Sequence, residues 1–318
     1  MRILAVDDNP FIRDFLPRIL EQENFPNVVT AASGASALDI LATSGQQFDC
    51  LLLDIVMPGM DGITLCRNIR TIEEYRHTPI IMLTLNSDGE SLEQAFAAGA
   101  NDYITKPFEI KTIAHRLRIA ERMVVSSEEE RALARSEFEE NTEVGHHSFG
   151  LNDAFHIEGV DQLIRKFSLG NFVSKIPKDD LENYLVFACQ IGNAGDLYSN
   201  TTSVEFIDVL STLAKSVSMT VNCDRLLMAN CGAGSIMCIT SKNSLLSRPP
   251  IDALVQEQFD KFGLRFGSGR EAGLMISAGV PIHPNAHRTQ RVRTTFGRAV
   301  DRAIKREQVK LKLMKRTV

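Results

Sequence analysis

The sequence predicts an α/β protein with two domains joined by a helical segment. Its 318 residues exceed what one hydrophobic core usually supports, and 44% of them are apolar, which is enough to fill two cores. Short apolar runs alternate with helical patterns over the first 120 residues, and the alternation returns from about residue 151. This order predicts a parallel sheet covered by helices, followed by a second α/β domain.

The strands of the first domain are predicted at five short apolar runs, residues 3–6, 28–31, 50–54, 80–84 and 102–105. Their continuous apolar character is typical of strands that are buried on both faces. After the first strand, Phe11, Phe15, Ile19 and Leu20 predict one apolar helix face. Sheets of this kind bind ligands beyond the carboxyl ends of their strands, so polar residues at those ends are candidate site residues.

Three acids occupy such positions. Asp7 and Asp8 follow the first strand, and Asp54 closes the third. Neighbouring parallel strands bring their ends within several ångströms, so the three carboxylates would repel one another without a cation between them. Mg²⁺ prefers oxygen ligands and often combines one or two carboxylates with a phosphate, so we expect Mg²⁺ here.

Two more strand ends fit the same pocket. Thr84 closes the fourth strand with a hydroxyl that can bond an anion, and Lys106 follows the fifth strand just before Pro107. The lysine ammonium could pair with a phosphoryl group. A simple salt bridge to the acids is the alternative interpretation of Lys106.

Residues 1–122 resemble the receiver domain of bacterial two-component response regulators, which has a flavodoxin-like fold with a five-stranded parallel sheet. The resemblance rests on motifs in the order and spacing of that family, namely Asp7-Asp8, Asp54 within LLLDIVMPGMDG, Thr84, Tyr103 and Lys106-Pro107.

The resemblance implies that Asp54 accepts a phosphoryl group from a histidine kinase or a phosphotransfer protein. The acids after the first and third strands would hold Mg²⁺ together with the backbone carbonyl of Val56. Lys106 would pair with the phosphoryl group, while Thr84 and Tyr103 would shift on its arrival. The family usually has a small residue after the switch threonine, whereas this chain has Leu85. A leucine there could hinder phosphoryl donors or attacking water, so it bears on the loading rate and the lifetime of the phosphoryl group.

Residues 123–150 are predicted to form a helical stalk and linker that continues the last receiver helix. A stripe of positions recurs at alternating spacings of four and three, at Ile113, Leu117, Ala120, Val124, Ser127, Arg131, Ala134 and Phe138. Ser127 and Arg131 interrupt its apolar character. Pairing with a second copy in a homodimer and an exposed linker helix both fit this pattern.

The second domain is predicted to span residues 151–318. Strands are expected at 184–191 and 273–282, helices at 203–217, 250–262 and 291–307, and a β-hairpin at 226–240. This order resembles the GGDEF domain of diguanylate cyclases, a nucleotidyl-cyclase-like fold. Its local matches are ISAGV at 276–280, the helix Ala299–Lys305, and Asp161, Leu163 and Phe172.

The signature turn of the GGDEF family aligns with Gly232-Ala233-Gly234-Ser235-Ile236, so its acids are replaced by Gly234 and Ser235. The metal-binding aspartate expected near residues 190–192 is also absent, and 223–226 read CDRL in place of the family's inhibitory Arg-x-x-Asp. Cyclising a nucleotide needs metal to neutralise triphosphate charge, which a turn without carboxylates cannot hold. The resemblance therefore implies a catalytically inactive domain, and a protein whose only chemistry is the receiver's own phosphorylation and dephosphorylation.

Charge is uneven along the chain. Residues 288–318 contain eleven Lys/Arg and two Asp/Glu, a net +9, so residues 1–287 sum to −14 within the overall −5. A solvated helix face or a contact with nucleic acid or an acidic partner could explain the basic end. Nucleic acid is the less expected partner because no helix-turn-helix pattern is present. The start of the chain lacks signal-peptide order and no run is long enough to span a membrane, which predicts a cytoplasmic protein.

The expected function is a response regulator whose inactive GGDEF-like domain acts by binding, either an unknown downstream protein or a second copy of itself. Three alternatives stay open: residual diguanylate cyclase activity, binding of GTP or cyclic-di-GMP without catalysis, and nucleic-acid binding by the basic end.

Overall fold

The computed structural model describes residues 1–85, 89–138, 143–157, 159–160, 162–221, 225–245, 250–267, 269 and 271–314, with only the backbone described at 125–138 and 314. The chain divides into two compact units, Met1–Leu133 and Ala134–Val318. None of the helices in the described ranges has the length and apolar character of a membrane span.

The first unit is a five-stranded parallel sheet in the order β2-β1-β3-β4-β5. Its strands are β1 (Arg2–Val6), β2 (Asn27–Ala31), β3 (Cys50–Asp54), β4 (Ile80–Thr84) and β5 (Asp102–Thr105). Its helices are α1 (Pro10–Gln22), α2 (Gly34–Thr43), α3 (Gly62–Thr71) and α4 (Gly89–Ala97), and α5 (Ile110–Phe138) begins in this unit and ends beyond its last residue. The five predicted strands are confirmed, because uninterrupted apolar runs of this length suit strands that helices cover on both faces.

Three helices of this unit begin at side-chain caps. Asn9, Ser33 and Asp61 each accept a hydrogen bond from a backbone N–H in the first turn of α1, α2 and α3 respectively. Such caps satisfy donors that have no partner within the helix. They fix where each helix starts relative to the strand before it, and so help to shape the loops at the carboxyl edge of the sheet.

Two sequence expectations for the helices need correction. Ile19 and Leu20 are buried and Phe15 packs against the core as predicted, but Phe11 is 68% exposed and stacks on Phe15, and Leu16 is buried in its place. Along α5, Ile113, Leu117 and Ala120 are buried in the receiver core. Those positions are filled within the first unit and cannot pair with a second copy. The remainder of the stripe, from Ser127 onward, has no described side chains.

The second unit contains a four-stranded antiparallel sheet in the order β7-β8-β6-β9. The strands are β6 (Tyr184–Ile191), β7 (Leu226–Gly232), β8 (Ser235–Ser241) and β9 (Ile276–Ala278). The helices are α6 (Lys166–Lys175), α7 (Ala194–Ser199), α8 (Ser203–Val221), α9 (Ile251–Lys261) and α10 (Arg291–Met314). The predicted hairpin and helices are present, and the predicted strand at 273–282 is reduced to three residues with one further bridge, between Val186 and Ile282.

The core of the second unit lies between this sheet and α8 and α9, with Phe187, Phe206 and Val255 among its fully buried members. The basic helix α10 packs on β6 and β9 through Ala299 and Ala303, both fully buried. Its first arginine, Arg291, is also buried and donates hydrogen bonds to the carbonyls of Asn285 and Ile176. Part of the predicted basic surface is therefore internal to this unit.

Candidate functional site: an acidic pocket at the edge of the receiver sheet

The three acids predicted to form a site lie together at the carboxyl edge of the first sheet. One carboxylate oxygen from each of Asp7, Asp8 and Asp54 lies within 4.8 Å of the other two. Strand pairing explains this, because Val6 at the end of β1 lies opposite Leu53 on β3, which places the next residues side by side. Asp7 and Asp54 are buried and Asp8 is exposed, so the cluster opens to solvent on one side.

Lys106 bridges the two buried acids. Its ammonium nitrogen Nζ lies 2.7 Å from Asp7 Oδ2 and 2.9 Å from Asp54 Oδ2. The backbone supports this position, because the Lys106 N–H donates to the carbonyl of Thr84 at the end of β4. Both interpretations of Lys106 are therefore compatible with the structure: the ammonium now pairs with the acids and stands beside the oxygen that would carry a phosphoryl group.

Burial controls the ionisation of the pocket. It raises the pKa of the Asp54 carboxyl above its ordinary value, and the nearby Asp7 charge adds to this, although Lys106 and a backbone hydrogen bond from Val56 oppose it. Burial by itself would lower the pKa of Lys106, but its hydrogen bonds and charge interactions with Asp54 and Asp7 outweigh that effect and raise it. The lysine thus stays charged, and the pocket favours an additional cation near Asp54.

Residues that the sequence did not single out position these groups. The Arg13 guanidinium donates to the backbone carbonyls of Asp7 and Asp8, at 2.8 and 2.7 Å, and the Asn9 N–H donates to Asp7 Oδ1 at 3.0 Å. On the other side, a Cβ atom at Gly62 would overlap the Asp54 carbonyl oxygen, so α3 reaches this strand end only because residue 62 has no side chain. The MPGMDG segment ends at Gly62, so the sequence contained a signal for this glycine. No motif in the sequence pointed to Arg13.

The remaining receiver residues surround the three acids at different depths. Thr84 is buried at the end of β4, and Tyr103 is 8% exposed with its ring edge-on to Phe96. Leu85 is 72% exposed, and the Val56 side chain is 63% exposed. The switch roles of Thr84 and Tyr103 and the Val56 carbonyl as a metal ligand stay predictions.

The donor set fits Mg²⁺. Three carboxylates around one point supply the hard oxygen ligands that this ion prefers, and the exposure of Asp8 leaves room for the waters that it retains. Within the described residues this is the one cluster of three or more candidate metal-ligating side chains.

The turn of the β7–β8 hairpin contains neutral groups, in contrast to the charged receiver pocket. Gly232, Ala233 and Gly234 all have positive φ, and Ser235 is buried. The Gln190 side chain on β6 accepts a hydrogen bond from the Ser235 hydroxyl and donates to the Ala233 carbonyl at 2.7 Å. Neutral groups that satisfy one another therefore occupy the place where the GGDEF resemblance leads one to expect metal-binding acids.

Main chain also covers this turn. The Ala233 N–H donates to the Leu151 carbonyl at 2.6 Å, and a Cβ on Gly232 would overlap the Asn152 carbonyl. A Cβ on Gly234 would lie 2.6 Å from the Ala194 Cβ at the start of α7. The turn is thus packed against the main chain at residues 151–152 and against the first residue of α7.

Other residues of the GGDEF resemblance have mixed outcomes. Leu163 and Phe172 are buried in the second unit. Asp161 and Cys223 lie outside the described residues. The Glu307 carboxylate on α10 accepts a hydrogen bond from the Asn193 N–H at 3.1 Å, just beyond β6.

Comparisons with known proteins agree with this geometry for the first unit. Residues 3–118 match the family model described as the response regulator receiver domain. The chain is 40% identical over 124 residues to the chemotaxis protein CheY-3 of Vibrio cholerae, which covers 39% of this chain and 94% of that protein. It is 34% identical over 215 residues to the transcriptional regulatory protein ResD of Bacillus subtilis, which covers 64% of this chain and 84% of that protein.

Other similarities cover the receiver alone. The transcriptional regulatory protein YvrH of Bacillus subtilis is 40% identical over 116 residues, 36% of this chain, and the match spans only 47% of that relative's length. Among solved structures, the chemotaxis protein CheY4 of Vibrio cholerae is 34% identical with a TM-score of 0.36, covering 37% of this chain and 97% of that one. The family model ends at residue 118, so it assigns nothing to the second unit. With the acidic pocket, the family-model match and the sequence similarity to CheY-3 and ResD show that the chain belongs to the response regulators of two-component systems, with a phospho-accepting receiver at residues 3–118.

Proposed function

We propose that Asp54 accepts a phosphoryl group from a histidine kinase or phosphotransfer protein, and that the second unit is an inactive GGDEF-like domain that signals by binding. The observation that carries the proposal is the contrast between an acidic pocket and a neutral, covered hairpin turn within one chain.

The phosphoryl transfer follows from the positions of the groups. An Asp54 oxygen attacks phosphorus, the bond from phosphorus to the donor nitrogen or oxygen breaks, and an aspartyl phosphate forms. The Lys106 ammonium lies 2.9 Å from an Asp54 carboxylate oxygen. From this position it can bond an oxygen of the new phosphoryl group. Mg²⁺ held by Asp7, Asp8 and Asp54 would neutralise charge on the phosphoryl oxygens.

The order of elements in the second unit supports the GGDEF-like interpretation. A strand, helices, a hairpin, a helix, a short strand and a last helix follow one another as the resemblance implies. Loss of catalysis is supported by the turn itself, where Gln190 and Ser235 bond each other and Leu151 caps the backbone. A domain of this kind can still present surfaces, so binding is the function that remains.

Activation would act through the receiver surface and the helix that follows it. A phosphoryl group adds about −1.5 to −2 charges, which can reposition Thr84, Tyr103 and the start of α5. Coupling of this kind typically changes a binding constant by roughly 5- to 150-fold. We expect it to alter either partner affinity or the pairing of two copies through the part of α5 beyond the receiver core.

The experiment has two arms. Purified protein is incubated with GTP and Mg²⁺, with and without the phosphoryl mimic beryllofluoride, and assayed for cyclic dinucleotide, which we expect to be absent. In parallel, light scattering and pull-downs from native cells compare wild-type and Asp54→Ala proteins. Turnover of GTP would overturn the inactive assignment, while calorimetric binding of GTP or cyclic-di-GMP without turnover would assign a nucleotide-sensing output instead. Unchanged mass and unchanged partners on activation would make the receiver a phosphate sink.

A further inference from the structure

The second unit contains a pocket whose lining residues do not include those of the hairpin turn. Its volume is about 720 Å³, within the range of roughly 300–1,000 Å³ that is typical of small-molecule sites. It lies between the first turn of α9, the turn that follows β9 and one face of α10, and we name it the α10 pocket. All of its lining residues belong to the second unit.

The apolar part of the wall is aliphatic. Leu245, Ile251, Leu254, Val280 and Val309 line the pocket, and no aromatic side chain occurs among its described lining residues. Val280 and Val309 are 70% and 47% exposed and border the pocket, so they leave apolar surface in contact with water at its edge. An aliphatic ligand would remove this surface from water, whereas a nucleobase would find no ring on which to stack.

Cations lie on one side of the pocket. Arg302, Lys305 and Arg306 are three and four residues apart on α10, so they share one helix face. The buried Asp252 already receives Arg306 Nε and Lys310 Nζ at 2.7 and 2.8 Å. Arg302 donates to the Val280 carbonyl at 3.1 Å, and no carboxylate of the described residues pairs with it or with Lys305. The wall therefore has an excess of positive charge.

The floor of the pocket is closely packed. A Cβ on Gly279 would lie 2.9 Å from both the backbone nitrogen of Ala303 and the Cβ of Arg302. The turn after β9 thus rests directly on α10, and the Arg302 hydrogen bond to Val280 fixes it there. A pocket held in this way is formed before a ligand arrives, which reduces the ordering cost of binding.

We propose that the α10 pocket binds a small carboxylate with an aliphatic body, such as a medium-chain fatty acid. The carboxylate would pair with Lys305 and Arg302, and the hydrocarbon would lie along Ile251, Leu254 and Val280. The proposal does not depend on phosphorylation of Asp54 or on the GGDEF-like assignment. The same chemistry could come from free carboxylate or from an anionic membrane surface, and we commit to the free carboxylate.

The test is calorimetric titration of the full chain with sodium decanoate below micelle-forming concentration. We expect saturable binding with one site per chain, and binding about tenfold weaker for decan-1-ol, which lacks the charge-assisted hydrogen bonds. Lys305→Glu should weaken decanoate by about tenfold or more for the same reason. Val280→Trp, at an exposed position, should block the mouth of the pocket without disturbing the core.

Lys312→Glu is the matched control, because it makes the same charge change on the same helix outside the pocket lining and should leave decanoate affinity unchanged. Equal affinity for wild-type, Lys305→Glu and Lys312→Glu proteins would overturn the proposal. So would equal binding of decyltrimethylammonium and decanoate, since that shows no preference for an anion. Sedimentation with anionic phospholipid vesicles without decanoate binding would assign the face to a membrane surface, and binding of a cyclic dinucleotide in place of decanoate would assign another ligand class.

Discussion

The acidic pocket of the receiver and the hairpin turn of the second unit both stand at strand ends, yet they balance their polar groups in opposite ways. In the receiver, three carboxylates meet one lysine, so the pocket keeps an excess of negative charge that a cation or a phosphoryl transfer can use. In the turn, Gln190, Ser235 and Ala233 satisfy one another. A site built for chemistry leaves charge uncompensated, whereas a structural turn completes its hydrogen bonds within the protein.

The largest expected effect tests the reactive side of this comparison. Asp54→Asn should abolish labelling by a small acyl-phosphate donor in Mg²⁺, because the amide is a poor nucleophile and a weaker metal ligand. Phosphate incorporation is measured by gel mobility or mass spectrometry. Asp39→Asn, at an exposed position on α2, is the matched control and should label normally. Undiminished labelling of Asp54→Asn would place the phosphoryl site elsewhere.

The second test addresses the packing of the hairpin turn in the second unit. Gly234→Ala should destabilise the second unit by about 2–5 kcal/mol, because it adds about 1–2 kcal/mol for a left-handed alanine to about 1–3 kcal/mol for overpacking. The overpacking arises at the Ala194 Cβ. Chemical denaturation measures the loss.

Gly263→Ala is the control for that test. Gly263 also has positive φ, but a Cβ there would meet nothing within 4 Å. It should lose only the backbone contribution of about 1–2 kcal/mol. Equal losses for the two variants would show that the hairpin turn is open, and the contrast with the receiver pocket would fail.

A third test concerns Asp252, a buried acid of the second unit whose charge, unlike that of the receiver acids, is compensated by two cations. Burial by itself would raise the pKa of Asp252, but the hydrogen bonds and charges of Arg306 and Lys310 outweigh it and lower that pKa below its ordinary value near 3.8. Asp252 therefore contributes stability above pH 3.8 that is lost as the pH falls through its lower, folded-state pKa. Asp252→Asn should cost on the order of 1–3 kcal/mol at pH 7.

The stability difference between wild type and Asp252→Asn should shrink as the pH falls below 3.8, which thermal unfolding between pH 2 and pH 7 would reveal. Glu257→Gln removes an exposed partner of Lys261 in the same helix and should change little across that range. A constant difference at all pH values would mean that the ion pairs do not contribute as the geometry implies.

The smallest effect concerns access to the receiver pocket. Leu85 is 72% exposed, so Leu85→Ala should leave stability almost unchanged while raising the rate of phosphoryl loading or hydrolysis by a few fold. Both rates are followed after exposure to acyl phosphate, with Leu313→Ala, at an exposed position of the second unit, as control. If neither rate changes, the leucine side chain points away from the pocket mouth.

Much of the fold was predictable because its signals are local. The five receiver strands and the hairpin were visible as apolar runs bounded by polar residues or glycine, and the three acids fell at strand ends where a parallel sheet gathers them. Phe11 was misassigned because four apolar residues along α1 fit more than one helix face. Leu117 looked like part of a stalk because spacing alone cannot tell a core position from a pairing position.

By itself, the sequence determined the order of the elements, the acids and lysine of the receiver pocket, and the absence of carboxylates from the hairpin turn, since residue type and spacing are sufficient for these. Tertiary structure alone decided that Arg13 holds the backbone of Asp7 and Asp8, and that Leu151 and Asn152 cover the turn. It alone also brought α9, the turn after β9 and α10 together around an aliphatic, cationic pocket. The physical reason is that these contacts join segments distant along the chain. Their partners are fixed by how helices pack on each sheet, which no local pattern records.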